Sequence, residues 1–101
     1  MQKNTTVLWK KIKMQCFYKK TFLKDLIKVD KRDRKKIENS VFVDIPKLND
    51  IFSTQYIKKM KGYKDYYRIR IGNYRIGCKI AGKEIIFYRV KSRADIYRVF
   101  P

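Results

Sequence analysis

The chain is predicted to be one small α+β domain, with an N-terminal strand and a two-helix hairpin packed on one face of a three- or four-stranded antiparallel sheet. Three observations predict this. Apolar residues recur at helical spacing through residues 20–45. The spacing switches to strict alternation from Tyr66 onward, and a two-residue Gly-Asn turn joins two alternating runs.

Residues 1–13 read as an N-terminal extension, irregular or partly helical, ahead of a single domain over 14–101. Met14 is a second candidate for the translation start. Met14 to Tyr18 (MQCFY) is a short apolar run and the first expected strand. Phe22, Leu23, Leu26 and Ile27 then repeat at i, i+3, i+4 with Lys and Asp between them, which predicts a helix. Asp30 is placed to cap a second helix that carries Ile37, Val41 and Ile45 inward and is bounded by Pro46. The exposed faces of this hairpin carry Lys24, Lys28, Arg32, Arg34, Lys35 and Lys36. Residues 47–65 read as a looser connection ending in the basic stretch from Lys58 to Lys64. Strands are expected over 66–71, 74–80 and 84–90, and a last short one over 96–100.

Charge is the strongest global signal. The chain has 101 residues with 27 Lys and Arg against 9 Asp and Glu, a net of +18, and 45% of its residues are hydrophobic. That composition supports a core, and so basic a surface seeks a polyanion. A merely soluble Lys-rich surface would balance Lys with Glu, yet Glu occurs only at Glu38 and Glu84. No apolar stretch approaches the ~20 residues that span a membrane, and residues 1–13 lack the apolar centre of a secretion signal. A cytoplasmic protein is expected. The chain has no His, and Cys16 and Cys78 lack metal-ligand spacing, so no metal site or cofactor is expected. Both cysteines read as buried free thiols.

The Gly72-Asn73 turn sets the hairpin register. Ile71 then faces Tyr74, Arg70 faces Arg75, Ile69 faces Ile76, Arg68 faces Gly77 and Tyr67 faces Cys78. One face, carrying Tyr67, Ile69, Ile71, Tyr74, Ile76, Cys78 and Ile80, is the core face. The other carries Tyr66, Arg68, Arg70, Arg75, Gly77 and Lys79. A three-residue turn over 81–83 would pair Ile80 with Glu84. It would add Ile86, Tyr88 and Val90 to the core face and Ile85, Phe87 and Arg89 to the basic face, with Arg89 opposite Arg75. Charged strand residues usually just face water. Here, however, like charges stand directly opposite, which destabilises a sheet, and no carboxylate of these strands alternates onto that face. Arginine is also the side chain best suited to gripping phosphate bidentately. Tyr66 and Phe87 are read as flat surfaces for bases between the arginines.

The stretch Lys59 to Ile76 (KMKGYKDYYRIRIGNYRI) resembles the signature region of the RelE/ParE toxin superfamily, which shows a pattern L-K/R-G…Y-R-I-R-x-G-x-Y-R across its central hairpin. Val90 to Tyr97 (VKSRADIY) is similar to the family's closing V-x-x-R-x-x-I/V-Y. The resemblance covers about residues 14–101 and is carried by the hairpin and tail. It implies the toxin of a type II toxin–antitoxin system, partnered by a cognate antitoxin, with operator DNA contacted through the toxin–antitoxin complex. RelE-type members cleave mRNA at the ribosomal A site without a metal. The resemblance makes Arg68, Arg70, Arg75, Arg93 and Tyr97 the candidate catalytic residues, with Lys91 the alternative to Arg93. On this reading Arg75 meets the scissile phosphate, Arg68, Arg70 and Arg93 serve charge or proton transfer, and Tyr97 stacks or moves a proton. Lys61 matches a nucleic-acid-holding position. Lys58, Lys59, Lys64, Tyr66, Lys79, Arg89 and Lys91 complete the expected RNA surface.

Two other readings stand beside the ribosome-dependent endoribonuclease. ParE-type members share the fold, inhibit DNA gyrase and cleave nothing, but generally lack the full basic set and the tail Tyr. A non-catalytic RNA-binding module would fit the aligned arginines as well, and cleavage discriminates it.

Overall fold

The computed structural model describes residues 13–101. The 1–13 extension, apart from Lys13, lies outside the described residues. Five strands form one sheet in the order β1-β5-β4-β3-β2: β1 (Gln15–Tyr18), β2 (Ile57–Lys59), β3 (Tyr66–Ile71), β4 (Tyr74–Ala81) and β5 (Glu84–Ser92). Two helices, α1 (Lys20–Leu26) and α2 (Lys31–Asn39), follow β1, and a one-turn helix, α3 (Ile96–Val99), closes the chain.

The helical hairpin forms where its spacing predicts. The Asp30 side chain accepts hydrogen bonds from the amides of Arg32 (3.0 Å) and Asp33 (3.2 Å), capping α2. Ile37, Val41 and Ile45 are buried, as expected, although the chain after Asn39 widens into a π-helical turn (Ser40–Asp44) and tightens into a 3₁₀ turn around Pro46. Phe22 and Leu26 point into the core; Leu23 and Ile27 are exposed.

The β3–β4 register is the expected one, pair for pair, with Arg70 opposite Arg75. Gly72 has φ 57°, the left-handed conformation that this tight turn requires of its first residue.

Four expectations are corrected. First, the sheet is mixed and five-stranded, because β1 joins it parallel to β5 and the stretch expected to be loose contributes β2, which pairs with β3. Second, the turn into β5 has two residues: Ala81 pairs with Glu84 and Ile80 with Ile85. Third, this shift inverts the expected faces, so Ile85 and Phe87 lie fully buried in the helix-side core. A bulge then places Tyr88 as an extra residue opposite the Gly77/Cys78 junction, which restores Val90 to the core and pairs Arg89 with Gly77 and Lys91 with Arg75. Fourth, residues 96–100 turn as a helix, because that puts Ile96 and Phe100 on one face at i, i+4, and both are buried.

Two apolar clusters result. The main core fills the space between helices and sheet, built from Phe22, Leu26, Ile37, Val41, Ile76, Ile85, Phe87 and Val90 among others; Cys78 is buried within it as a free thiol and Cys16 is half-buried against it. A second, smaller cluster on the opposite face joins Met60, Ile96 and Phe100 to Tyr66, Tyr88 and Val99. That cluster pins the C-terminal tail across the sheet. Phe100 lies directly on Gly77, where no side chain would fit.

Candidate nucleic-acid interface and active site

The basic face of the sheet is not uniform. Next to the pinned tail lies an open cleft of about 280 Å³ lined by Gln55, Tyr56, Lys58, Arg68, Arg70, Arg75, Arg93 and Tyr97. Arg68, Arg70 and Arg75 reach it because β3 and β4 alternate them outward in register. Arg93 comes from the turn after β5, whose amide donates to the Asn73 carbonyl (2.9 Å), tying the turn to the β3–β4 hairpin. Tyr97 comes from α3 and is 60% exposed. The five candidate catalytic residues thus converge on one cleft, and no carboxylate lines it.

The geometry is organised by the arginines. The Arg68 guanidinium lies 4.8 Å from the Tyr97 ring centre, and that of Arg70 lies 5.6 Å from the Tyr56 ring centre, both as cation–π pairs. Arg75 donates from Nη1 to the carbonyls of Gly72 and Tyr74, each at 3.0 Å. Partial burial, followed by the charges of Arg93, Arg70 and Arg68, holds its pKa below the ordinary guanidinium value. Among the described residues, the Nε of Arg68 is a buried donor with no acceptor. An unsatisfied donor costs about 1–3 kcal/mol.

The other basic residues fall in different places. Lys58 stands opposite Arg68 and lines the cleft. Lys59 pairs with Tyr67 and so alternates to the other side of the sheet. Lys61 and Lys64 are exposed in the β2–β3 connection, and Lys79 is half-buried opposite Tyr66, outside the cleft. Tyr66 sits in the second cluster, 5.5 Å from the Phe100 ring, and Phe87 offers no surface at all.

Arg89 and Lys91 are engaged by a residue that strand alternation does not reveal. Asp25 of α1, only 6% exposed, accepts from Arg89 Nε (2.7 Å) and Nη2 (3.2 Å) and from the Val90 amide (3.2 Å). Lys91 Nζ lies 3.4 Å from its other oxygen. Desolvation alone would raise the Asp25 pKa, but the hydrogen bonds from Arg89 and Val90, with the charges of Arg89 and Lys91, hold it below the usual carboxylate value. Asp25 closes the part of the β5 edge that the short β1 leaves uncovered. Two residues of the cleft itself, Gln55 and Tyr56, were also missed, because they belong to the irregular stretch before β2.

A basic cleft on a mixed sheet, with a hairpin of helices behind it and a pinned tail beside it, makes this a small α+β protein of the architecture that the RelE/ParE resemblance implies. The comparisons place it further. The profile of the ParE toxin of type II toxin–antitoxin systems matches residues 17–97, and the chain belongs to that family. It is 47% identical over 90 residues to Toxin RelE3 of Methanocaldococcus jannaschii, covering 87% of this chain and all of that protein. The RelB–RelE antitoxin–toxin complex from Methanococcus jannaschii superposes with a TM-score of 0.70 at 45% identity, over 84% of this chain and 99% of that one. YafQ of E. coli, at 18% identity and a TM-score of 0.64 over 84% of this chain and 99% of its own, shares the fold.

Proposed function

We propose that residues 14–101 form a single toxin domain that cuts mRNA on the ribosome without a metal, in the cytoplasm, and is held in check by a cognate antitoxin. Operator DNA is reached through the toxin–antitoxin complex. The observation that carries this reading is the convergence of Arg68, Arg70, Arg75, Arg93 and Tyr97 on one cleft with no acidic residue in its lining.

RNA brings its own nucleophile. The 2′-oxygen attacks phosphorus, the bond to the 5′-oxygen breaks, one proton leaves the 2′-hydroxyl and one reaches the departing 5′-oxygen. The protein has to hold these groups in line and stabilise the extra negative charge. Arg75 grips the phosphate and stabilises the charge that builds on it. Arg68, held against the Tyr97 ring, adds its charge at the cleft wall. Arg70 and Arg93 add charge, and Tyr97 offers a stacking face and a hydroxyl. Lys58, Lys61 and Lys64 hold the flanking backbone. The chain has no His, and the cleft has no carboxylate to serve as a strong base, so the ribosome supplies much of the alignment.

The test is cleavage of a programmed ribosome by wild type and Arg75→Ala side by side. Removing one preorganised charge contact slows the reaction by about 10²–10³ while the protein stays folded and ribosome-bound. A wild type that leaves the message whole while blocking gyrase supercoiling overturns this reading in favour of a gyrase inhibitor.

A further inference from the structure

The arginine cleft has an aromatic ring at each end. Tyr97 stands under Arg68 at one end, and Tyr56 stands under Arg70 at the other. Arg68 and Arg70 are two residues apart on one strand, so their guanidinium groups lie side by side on the same face. The two rings therefore flank a row of phosphate-gripping charges.

Among the described residues Tyr56 belongs to neither apolar cluster, and it is 51% exposed. Its position is nonetheless fixed: its carbonyl accepts from the Arg70 amide (3.0 Å), and the Arg70 guanidinium covers one region of its ring. With Arg70, Arg75 and Arg93 it lines both the arginine cleft and a neighbouring groove of about 760 Å³ floored by Ile45, Leu48, Ile51, Ile69 and Ile71. A flat ring held by a cation, beside a phosphate site and with open space in front of it, is what a splayed nucleobase requires.

We propose that Tyr56 is a base-stacking residue. It takes the nucleobase on the opposite side of the bound phosphate from Tyr97, so that the cleft holds a dinucleotide step by its central phosphate and both bases. This rests on the reading of the cleft as an RNA site, but it does not require that the RNA be cut.

The experiment uses a ribosome programmed with a message carrying 2-aminopurine on either side of the A-site phosphate, with a 2′-deoxy nucleotide at the cleavage position so that it stays whole. Stacking changes the fluorescence of the probe. Wild type changes it at both positions. Tyr56→Leu loses the change at one position only and binds about 5- to 150-fold more weakly, the range a single base–aromatic stack covers. Tyr56→Phe, which keeps the ring, restores the signal, and Tyr97→Leu loses the change at the other position. Circular dichroism confirms that each variant is folded, and Tyr56→Ala replaces Tyr56→Leu should the latter not fold. If both probes report wild-type stacking and affinity without the Tyr56 ring, the inference is wrong. A wild type that cuts no cleavable message yet keeps the Tyr56-dependent signal removes the nuclease reading and leaves the stacking residue standing.

Discussion

Asp25→Ala separates the two jobs of the positive charges, because it removes the carboxylate that engages Arg89 and Lys91 and leaves the cleft untouched. Three hydrogen bonds go at once: two from Arg89 and one from the Val90 amide, which lies beyond the stretch of β5 that β1 covers. Breaking a buried, hydrogen-bonded ion pair costs about 3–5 kcal/mol. The Arg89 side chain is 26% exposed, so water recovers part of that, and the cost falls near the lower end, about 3 kcal/mol. In a domain of this size that lowers Tm by roughly 15 °C. Asp25→Asn keeps one acceptor and loses the charge, so it costs less, about 1–2 kcal/mol. The pH dependence adds a second signature. The folded carboxyl has a lowered pKa, so its contribution is full above the unfolded value of about 3.9 and is lost as pH falls through the folded one. The gap between wild type and Asp25→Asn is therefore widest above about pH 5 and closes in stronger acid. Thermal melts from neutral pH down into acid measure both effects. A Tm for Asp25→Ala within about 2 °C of wild type, or a gap that persists unchanged in acid, refutes the reasoning.

The remaining predictions concern the tail and the charge. Gly77→Ala puts a methyl within 3.0 Å of three Phe100 ring carbons, so the ring leaves its seat. Overpacking of this kind costs about 1–3 kcal/mol. It is read as amide exchange about tenfold faster or more at Arg98 and Phe100, with β3 and β4 unchanged; tail protection equal to wild type contradicts it. With about six phosphate contacts, affinity for programmed ribosomes falls on the order of a thousandfold between ~50 and ~200 mM salt. A flat response in a filter-binding titration points instead to a protein target.

The legible parts of this chain are those governed by short-range rules. Gly72-Asn73 fixes the β3–β4 register because a two-residue turn leaves no freedom, and that alone brings Arg68, Arg70 and Arg75 to one face. Asp30 announces its helix because capping is local. The next turn was misread by one residue, and parity then sent Ile85 and Phe87 to the wrong side, until the bulge at Tyr88 cancelled the error for Val90. A bulge depends on what packs against both faces, which alternation along one strand does not encode. Residues 96–100 satisfy strand and helix patterns equally at that length, and docking on Gly77 decides between them. The Asp25 pairing joins residues about sixty positions apart, and Tyr56 owes its place to the edge strand β2, three residues long. Neither leaves a periodic signal.

The facing positions of four neighbouring strands repeat one motif: Lys58 meets Arg68, Arg70 meets Arg75, and Arg75 meets Lys91. Like charges set opposite each other push strands apart. The proposed RNA face is thus also a seam under repulsion, relieved at Lys91 by Asp25, and removing one of its unpaired cations relaxes the sheet. Loss of charge at this face and gain of stability lie in the same direction, as they often do where a functional surface is held under tension.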